Sequence, residues 1–175
     1  MARLPIIVAP DPRLKGIAEP VGAVDAQVQA LMDDLLETMY DASGIGLAAP
    51  QVGVLKRVIV VDVSRGEDRA PMALVNPEIV WESEETNVHE EGCLSLPEYY
   101  AEVVRPDQVR IQYLDREGQA QEIEADNILA TCIQHEIDHL DGILFVDHVS
   151  SLKRNMILRK MVKTKKLNAR DEAAD

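Results

Sequence analysis

Aromatic residues are nearly missing from this 175-residue chain, which has one Trp, one Phe and four Tyr. Its core must therefore be aliphatic. Cysteine is equally sparse. Cys93 and Cys132 cannot build a disulfide framework, so a reducing compartment is expected. Nowhere does the chain approach the ~20 consecutive apolar residues of a membrane-spanning helix. The opening Met1-Ala2-Arg3-Leu4-Pro5-Ile6-Ile7-Val8 is too short and too interrupted for a signal peptide. A cytoplasmic location is expected. Basic residues are scarce too. The formal net charge of −13 argues against general nucleic-acid binding. The imbalance is uneven: residues 1–150 hold 10 basic and 28 acidic side chains, whereas 151–170 hold eight basic and no acidic ones. The C-terminal stretch is set apart by this asymmetry.

What remains is ordinary for a globular protein, 46% apolar and 28% charged, and one domain over residues 1–175 is expected. Asp11-Pro12-Arg13-Leu14 reads as a capped helical turn with Pro at its first position. Val24, Val28, Leu31, Leu35 and Met39 recur at helical spacing, with Asp25 near the start. Arg57–Asp62 and Met72–Val75 read as strands. Residues 82–91 are acidic and resist assignment. Val103-Val104 and Val109–Leu114 alternate like strands, and Asp115-Arg116-Glu117-Gly118 turns the chain into a return strand over Gln119–Ala125. From Ser150 or Ser151, Leu152, Met156, Ile157, Met161 and Val162 sketch an amphipathic helix with Lys and Arg between them. Such a helix either packs on its own domain with a solvated basic face or docks on RNA or another acidic surface.

The chemistry concentrates in Gln134-His135-Glu136-Ile137-Asp138-His139. It lies in an apolar-periodic run from Ile128 to Leu140, opened by Asp126 or Asn127. On a helix, His135 and His139 face the same way one turn apart and can share a metal ion. Glu136 follows the first histidine, where it can reach a metal-bound water without ligating. The same spacing also suits a buried helix whose histidines merely pack, so further ligands must come from elsewhere. A catalytic site of this kind has three protein ligands. The extended endopeptidase pattern finds Gly142 in place but Phe145 where its third histidine belongs. His148 is one remaining candidate. Cys93 is a better one, a thiolate ligand flanked by Gly92 and Leu94. Cys132, one turn before His135, reads as packing.

Three stretches, Gly44-Ile45-Gly46-Leu47-Ala48-Ala49-Pro50-Gln51, Glu91-Gly92-Cys93-Leu94-Ser95 and Gln134–His139, together resemble the three signature motifs of bacterial peptide deformylases. Ile7–Leu14 is similar to the start of that family. The resemblance implies an α+β fold, with antiparallel sheets wrapped around a central helix carrying the histidines and a C-terminal helix after it. It implies removal of the formyl group from N-terminal formyl-methionine, with release of formate. Cys93, His135 and His139 would hold one metal per chain, Fe²⁺ with Zn²⁺, Ni²⁺ or Co²⁺ as substitutes. A metal-bound water would be the nucleophile and Glu136 the general base turned acid. The Gln51 amide and the Leu94 N–H would stabilise the oxyanion. Ile45 and Gly46 would hold the substrate backbone, and Ile45, Glu91, Ile128 and Thr131 would line the methionine pocket with the ring face of His135. Asp138, paired with Arg105, would steady the helix or else be a solvated residue. Two departures stand out: His89 occupies a position usually apolar in the family, and Tyr100 one often basic. A monomer is expected, acting on formyl-methionyl peptides, with the basic helix as a candidate ribosome-docking element.

Overall fold

The structure is a computed structural model and describes residues 2–64 and 66–174. Helix α1 (Ala26–Asp41) begins where the Asp25 carboxylate accepts the Val28 N–H at 3.0 Å. Strands β1 (Gly46–Ala48), β2 (Val58–Val61), β3 (Met72–Glu82), β6 (Gln108–Leu114) and β7 (Ala120–Asp126) form a five-stranded antiparallel sheet in the order β1-β2-β3-β6-β7. Strands β4 (Thr86–Cys93) and β5 (Leu96–Pro106) pair antiparallel as a separate two-stranded sheet. Helix α2 (Asn127–Leu140) follows β7 directly, and α3 (Ser151–Ala174) closes the chain.

Strand β2 explains the layering. All four of its residues are buried, because helices cover both faces of the sheet at this strand. Ile59 and Val61 face α2 and join Leu74, Val109, Ile111, Ala130, Ile133, Ile137 and Leu140 in one cluster. Val58 and Val60 face α1 and join Val28, Met32, Leu35 and Met39 in another. Each aliphatic side chain fully buried in these layers contributes roughly 1.5–3 kcal/mol. A third cluster gathers Ile7, Leu14, Leu96, Val103, Phe145, Ile157 and Met161, tying the N-terminal segment, β5 and α3 together.

Several expectations were met in detail. Asp11 caps the short 3-10 turn Pro12–Lys15 by accepting the Arg13 N–H. Asp115 accepts the N–H groups of Glu117 and Gln119, which fixes the turn between β6 and β7. Asp126 holds the cap position of α2 without a capping side-chain bond, while Asn127 turns the chain with φ +47°. Residues 82–91, unassigned from sequence, end β3 and form most of β4. Helix α3 is less amphipathic than its spacing suggested. Ile157 and Met161 are buried, but Leu152 is 81% exposed, and every residue from Val162 to Ala173 is exposed. No helix among the described residues is long and apolar enough to cross a membrane.

Candidate active site

Ten of the fourteen residues of α2 are buried, including Gln134, His135, Glu136 and His139. Polar groups in such a position need partners. His135 and His139 lie one turn apart with ring centroids 5.1 Å apart. Cys93 ends β4, where the pairing with β5 slips out of register, and this brings its sulfur to 3.3 Å from His139 Nε2. One ligand atom from each of Cys93, His135 and His139 lies within 4.8 Å of the others. An ideal tetrahedral ion with ordinary Zn–S and Zn–N bonds would separate sulfur from nitrogen by about 3.6 Å. The residues fit a metal ion.

The surroundings prepare these donors. His135 Nδ1 lies 2.9 Å from Glu91 Oε1, an arrangement that puts the ring proton on Nδ1 and leaves Nε2 free to ligate. Burial opposes a proton on His135, yet hydrogen bonds with Cys93 and Glu91 outweigh it and hold its pKa well above the usual value, so the pocket favours positive charge at this point. His139 is the opposite. Burial and the neighbouring His135 hold its pKa well below the usual value, keeping it neutral as a ligand must be. Phe145 stacks on the His135 ring at 6.1 Å and 23°, closing its outer side.

Glu91 is itself held. Arg105 donates to both of its carboxylate oxygens at 2.7 and 2.9 Å, and a third Arg105 donor reaches Asp138 at 2.9 Å. Burial works to raise the Glu91 carboxyl, but hydrogen bonds with His135 and Arg105 prevail and bring it down to about 2. A charged chain thus runs from Asp138 through Arg105 and Glu91 to His135. His148 adds to its outer end, 2.8 Å from Asp138.

Glu136 Oε1 sits 4.0 Å from His135 Nε2, and its Oε2 is buried without a partner. Burial pushes this carboxyl up to about 7, a value suited to taking and returning a proton at neutral pH. Gly46 makes room for it. A Cβ there would lie 2.7 Å from Glu136 Oε1 and 2.8 Å from Cys132 Sγ. Gln51 is oriented at both ends of its amide: Oε1 accepts the Ala48 N–H, and Nε2 donates to Ser95 Oγ at 3.0 Å and toward Cys93 Sγ at 3.5 Å. Leu94 stands in the turn immediately after Cys93.

A cavity of about 410 Å³ opens over this cluster. Ile45, Gly46, Gln51, Glu91, Cys93, Leu94, Ile128, Thr131, His135 and Glu136 all border it, as do His89 and Tyr100. Ile45 and Ile128 are 45% and 44% exposed, apolar surface left facing the opening.

Comparison with known proteins agrees with this geometry. A family model described as polypeptide deformylase matches residues 3–155. The chain belongs to the peptide deformylase family. A peptide deformylase of Methylocella silvestris is 58% identical over 171 residues, covering 95% of this chain and 87% of that protein. One of Rhizobium meliloti is 55% identical over 163 residues, 93% of this chain and 94% of its own. A crystal structure of the Ehrlichia chaffeensis peptide deformylase in complex with actinonin superposes with a TM-score of 0.90 at 42% identity, covering 94% and 98% of the two chains. A Legionella pneumophila peptide deformylase gives 0.89 at 48%, covering 97% and 99%. The chain is accordingly an enzyme, a metal-dependent hydrolase that removes the formyl group from N-terminal formyl-methionine, and its α+β fold is that of the family.

In this deformylase every residue expected from sequence at the metal, the base, the oxyanion donors and the pocket borders one cavity or clusters at its floor. His148, weighed as a ligand, is engaged by Asp138 outside the cluster. Cys132 donates to the Ile45 carbonyl at 3.4 Å and packs in the core, where burial raises its pKa. Glu91 was expected as a pocket residue. It borders the pocket, but its carboxylate is spent on Arg105 and His135. Gly46 was expected to let the peptide lie close; its missing side chain also leaves room for Glu136 and Cys132, whose atoms are nearest to where a Cβ would stand. Sequence reading missed the Arg105–Glu91 pair, the Ser95 hydroxyl that holds Gln51, and the Phe145 stack. Opposite charges within one hairpin were a signal for the first of these.

Proposed function

We propose that Cys93, His135 and His139 hold one divalent ion, Fe²⁺ in the cell and Zn²⁺, Ni²⁺ or Co²⁺ as substitutes, and that Glu136 moves the proton of deformylation. The observation that carries this reading is the convergence of these three donors with a buried, unpartnered Glu136 oxygen at the floor of one cavity. When bound, the ion supplies Lewis acidity that lowers the pKa of water and polarises the formyl oxygen. Glu136 takes a proton from the attacking water and gives it to the leaving amine. Gln51 Nε2 and the Leu94 N–H donate to the oxygen of the formyl group as it gains negative charge, and losing one such donor typically costs ~10²–10³ in rate. Gln51 suits this role because Ala48 and Ser95 fix its amide before substrate arrives. Glu91 holds His135 in one tautomer, and Arg105 holds Glu91.

Ile45, just before the edge strand β1, and Gly46, its first residue, offer backbone to an extended peptide. Ile128, Thr131, the Glu91 flank and the His135 ring form the recess for the methionine side chain. The enzyme works as a cytoplasmic monomer of one domain spanning 1–175. Its basic helix α3, whose side chains from Lys163 to Ala173 are all exposed, docks on ribosomal RNA near emerging chains. Loss of ribosome co-sedimentation on deleting residues 151–175 is the expected outcome; binding retained after the deletion would remove that role.

The deciding experiment measures formate released from formyl-Met-Ala-Ser by protein purified without oxygen, with metal content determined in parallel. Rapid release is expected from the wild type. Glu136→Ala is expected to keep its metal and lose at least ~10²-fold in kcat. A metal-loaded wild type that releases no formate would overturn the reading.

A further inference from the structure

Among the described residues, four buried side-chain polar atoms lack a hydrogen-bond partner: Glu37 Oε2, His89 Nε2, Glu136 Oε2 and His139 Nδ1. Glu136 and His139 belong to the cluster that handles metal and proton, and Glu37 lies on α1 away from the cavity. His89 Nε2 is left, and His89 borders the cavity.

Its place in β4 fixes which way it points. Alternate residues of a strand share a face, so His89 shares one with Glu91, whose carboxylate reaches His135 on α2. His89 pairs across the hairpin with Val103, which is 1% exposed, whereas the intervening Val88 is 51% exposed and faces outward. His89 stands two residues up the strand from Glu91, roughly 7 Å farther along. On the opposite wall, Thr131 and Ile128 lie one and two turns of α2 before His135, up to ~10 Å along the helix. All three border the cavity, and each lies farther along its own element from the metal donors than Glu91 or His135 does. Ile128 offers only hydrocarbon there. His89 brings a nitrogen that nothing among the described residues satisfies, and leaving such a group unpaired is unfavourable.

We propose that His89 makes this deformylase read the end of its substrate's first side chain: the Nε2–H donates to a hydrogen-bond acceptor carried there. This rests on the recess assigned above to the methionine side chain. The thioether sulfur of formyl-methionine is a weak acceptor, and the sulfoxide oxygen of its oxidised form is polar and a stronger one. The ligand class is therefore N-formyl peptides whose first side chain is unbranched and ends in an acceptor, formyl-methionine sulfoxide included. Norleucine has nearly the same shape and no acceptor, and it leaves the nitrogen unpaired.

The test compares kcat/KM for formyl-X-Ala-Ser peptides in which X is methionine, norleucine or methionine sulfoxide. The proteins are the metal-loaded wild type, His89→Ile and His89→Gln. The wild type is expected to prefer methionine over norleucine by about 3–10-fold, chiefly through KM, in line with one neutral hydrogen bond. It should process the sulfoxide within about tenfold of methionine. His89→Ile should favour norleucine or treat the two alike, and should lose at least a further ~10-fold on the sulfoxide. His89→Gln keeps a donor and should retain the wild-type order. These ratios are internal to each protein, so a general loss of folding does not imitate them. Norleucine equal to methionine in the wild type, or ratios unchanged in His89→Ile, would overturn the proposal. A wild type inactive on formyl-methionine would instead overturn the reading beneath it.

Discussion

Arg105→Met is the sharpest test of how the metal donors are held. The Arg105 side chain is 6% exposed and makes three hydrogen bonds, at 2.7 and 2.9 Å to Glu91 and at 2.9 Å to Asp138. Methionine fills similar space and supplies none of them. The two carboxylates left behind differ. Asp138 is 20% exposed and retains His148, whereas Glu91 is 5% exposed and keeps only His135. Stranding one such buried charge costs ~3–5 kcal/mol. For a chain of this length each kcal/mol lowers Tm by roughly 2–4 °C, so a fall of about 6–20 °C is expected. A second readout separates positioning from bulk stability. With Glu91 free to swing, His135 loses the partner that sets its tautomer, and metal affinity should fall ~10–100-fold. Thermal melts with and without added metal, alongside chelator competition, measure both effects. Adding Glu91→Gln to the variant replaces the stranded charge with a neutral amide. It should restore most of the stability and little of the metal affinity. A single variant within ~1 kcal/mol of wild type and unchanged in metal affinity would refute the network.

Other consequences are as direct. Gly46→Ala drives a methyl group against Glu136 and Cys132, so it should lower kcat at least ~10-fold and destabilise by ~1–3 kcal/mol, measured by peptide kinetics and urea melts. The buried Asp62 accepts from Ser64, Tyr40 and Ala70. Burial opposes its charge, but those bonds prevail and hold its pKa below the ordinary 3.8. Its contribution is then fully present above the unfolded value near 4 and is lost as pH falls through the lower folded value. Asp62→Asn should remove that part of the acid dependence, seen in melts between about pH 2 and 5, and cost ~1–3 kcal/mol at pH 7. Truncation after Val162 removes side chains that are exposed throughout residues 163–173 and should change stability by under ~1 kcal/mol, whereas Ile157→Ala, in the third cluster, should cost ~2–4 kcal/mol by denaturant unfolding.

Helices α1 and α2 were legible because their buried residues recur every three or four positions and Asp25 and Asp126 stand at their starts. The β6–β7 hairpin was legible through Asp115 and Gly118. Strand β4 was not, and the reason is physical. A strand announces itself by apolar side chains on its buried face, but the inward face of β4 carries His89 and Glu91, which meet a cavity and a charged chain, while Val88 faces out. The pattern is inverted by function. Strand β3 was seen for four residues of its eleven, since Asn76 and Pro77 read as an end. The chain instead passes through with Asn76 at φ +50°, its side chain bonded to both backbone groups of Val21. The metal donors and Glu136 could be named because short fixed spacings carry them. Of their support, only the Arg105–Asp138 pair was named; the grip of Arg105 on Glu91, the Ser95 hydroxyl and the Phe145 ring could not be, because they reach the site only through the tertiary pairing of β5 with β4 and the packing of the segment after α2.

The donors also come from distant points of the chain. Cys93 and His139 are 46 residues apart, and the intervening segment contains β5, β6, β7 and most of α2. In polymer terms an ion gripping both is a removable cross-link that closes a loop of that length. A covalent link of the same span would withdraw about 4 kcal/mol of chain entropy from the unfolded state. The hairpin β4–β5 shares no strand pairing with the five-stranded sheet, so this clasp is one of the few ties fastening it to α2. Demetallated protein should therefore be nicked first within that hairpin, and loss of metal should register as an altered protease-cleavage pattern as well as lost activity.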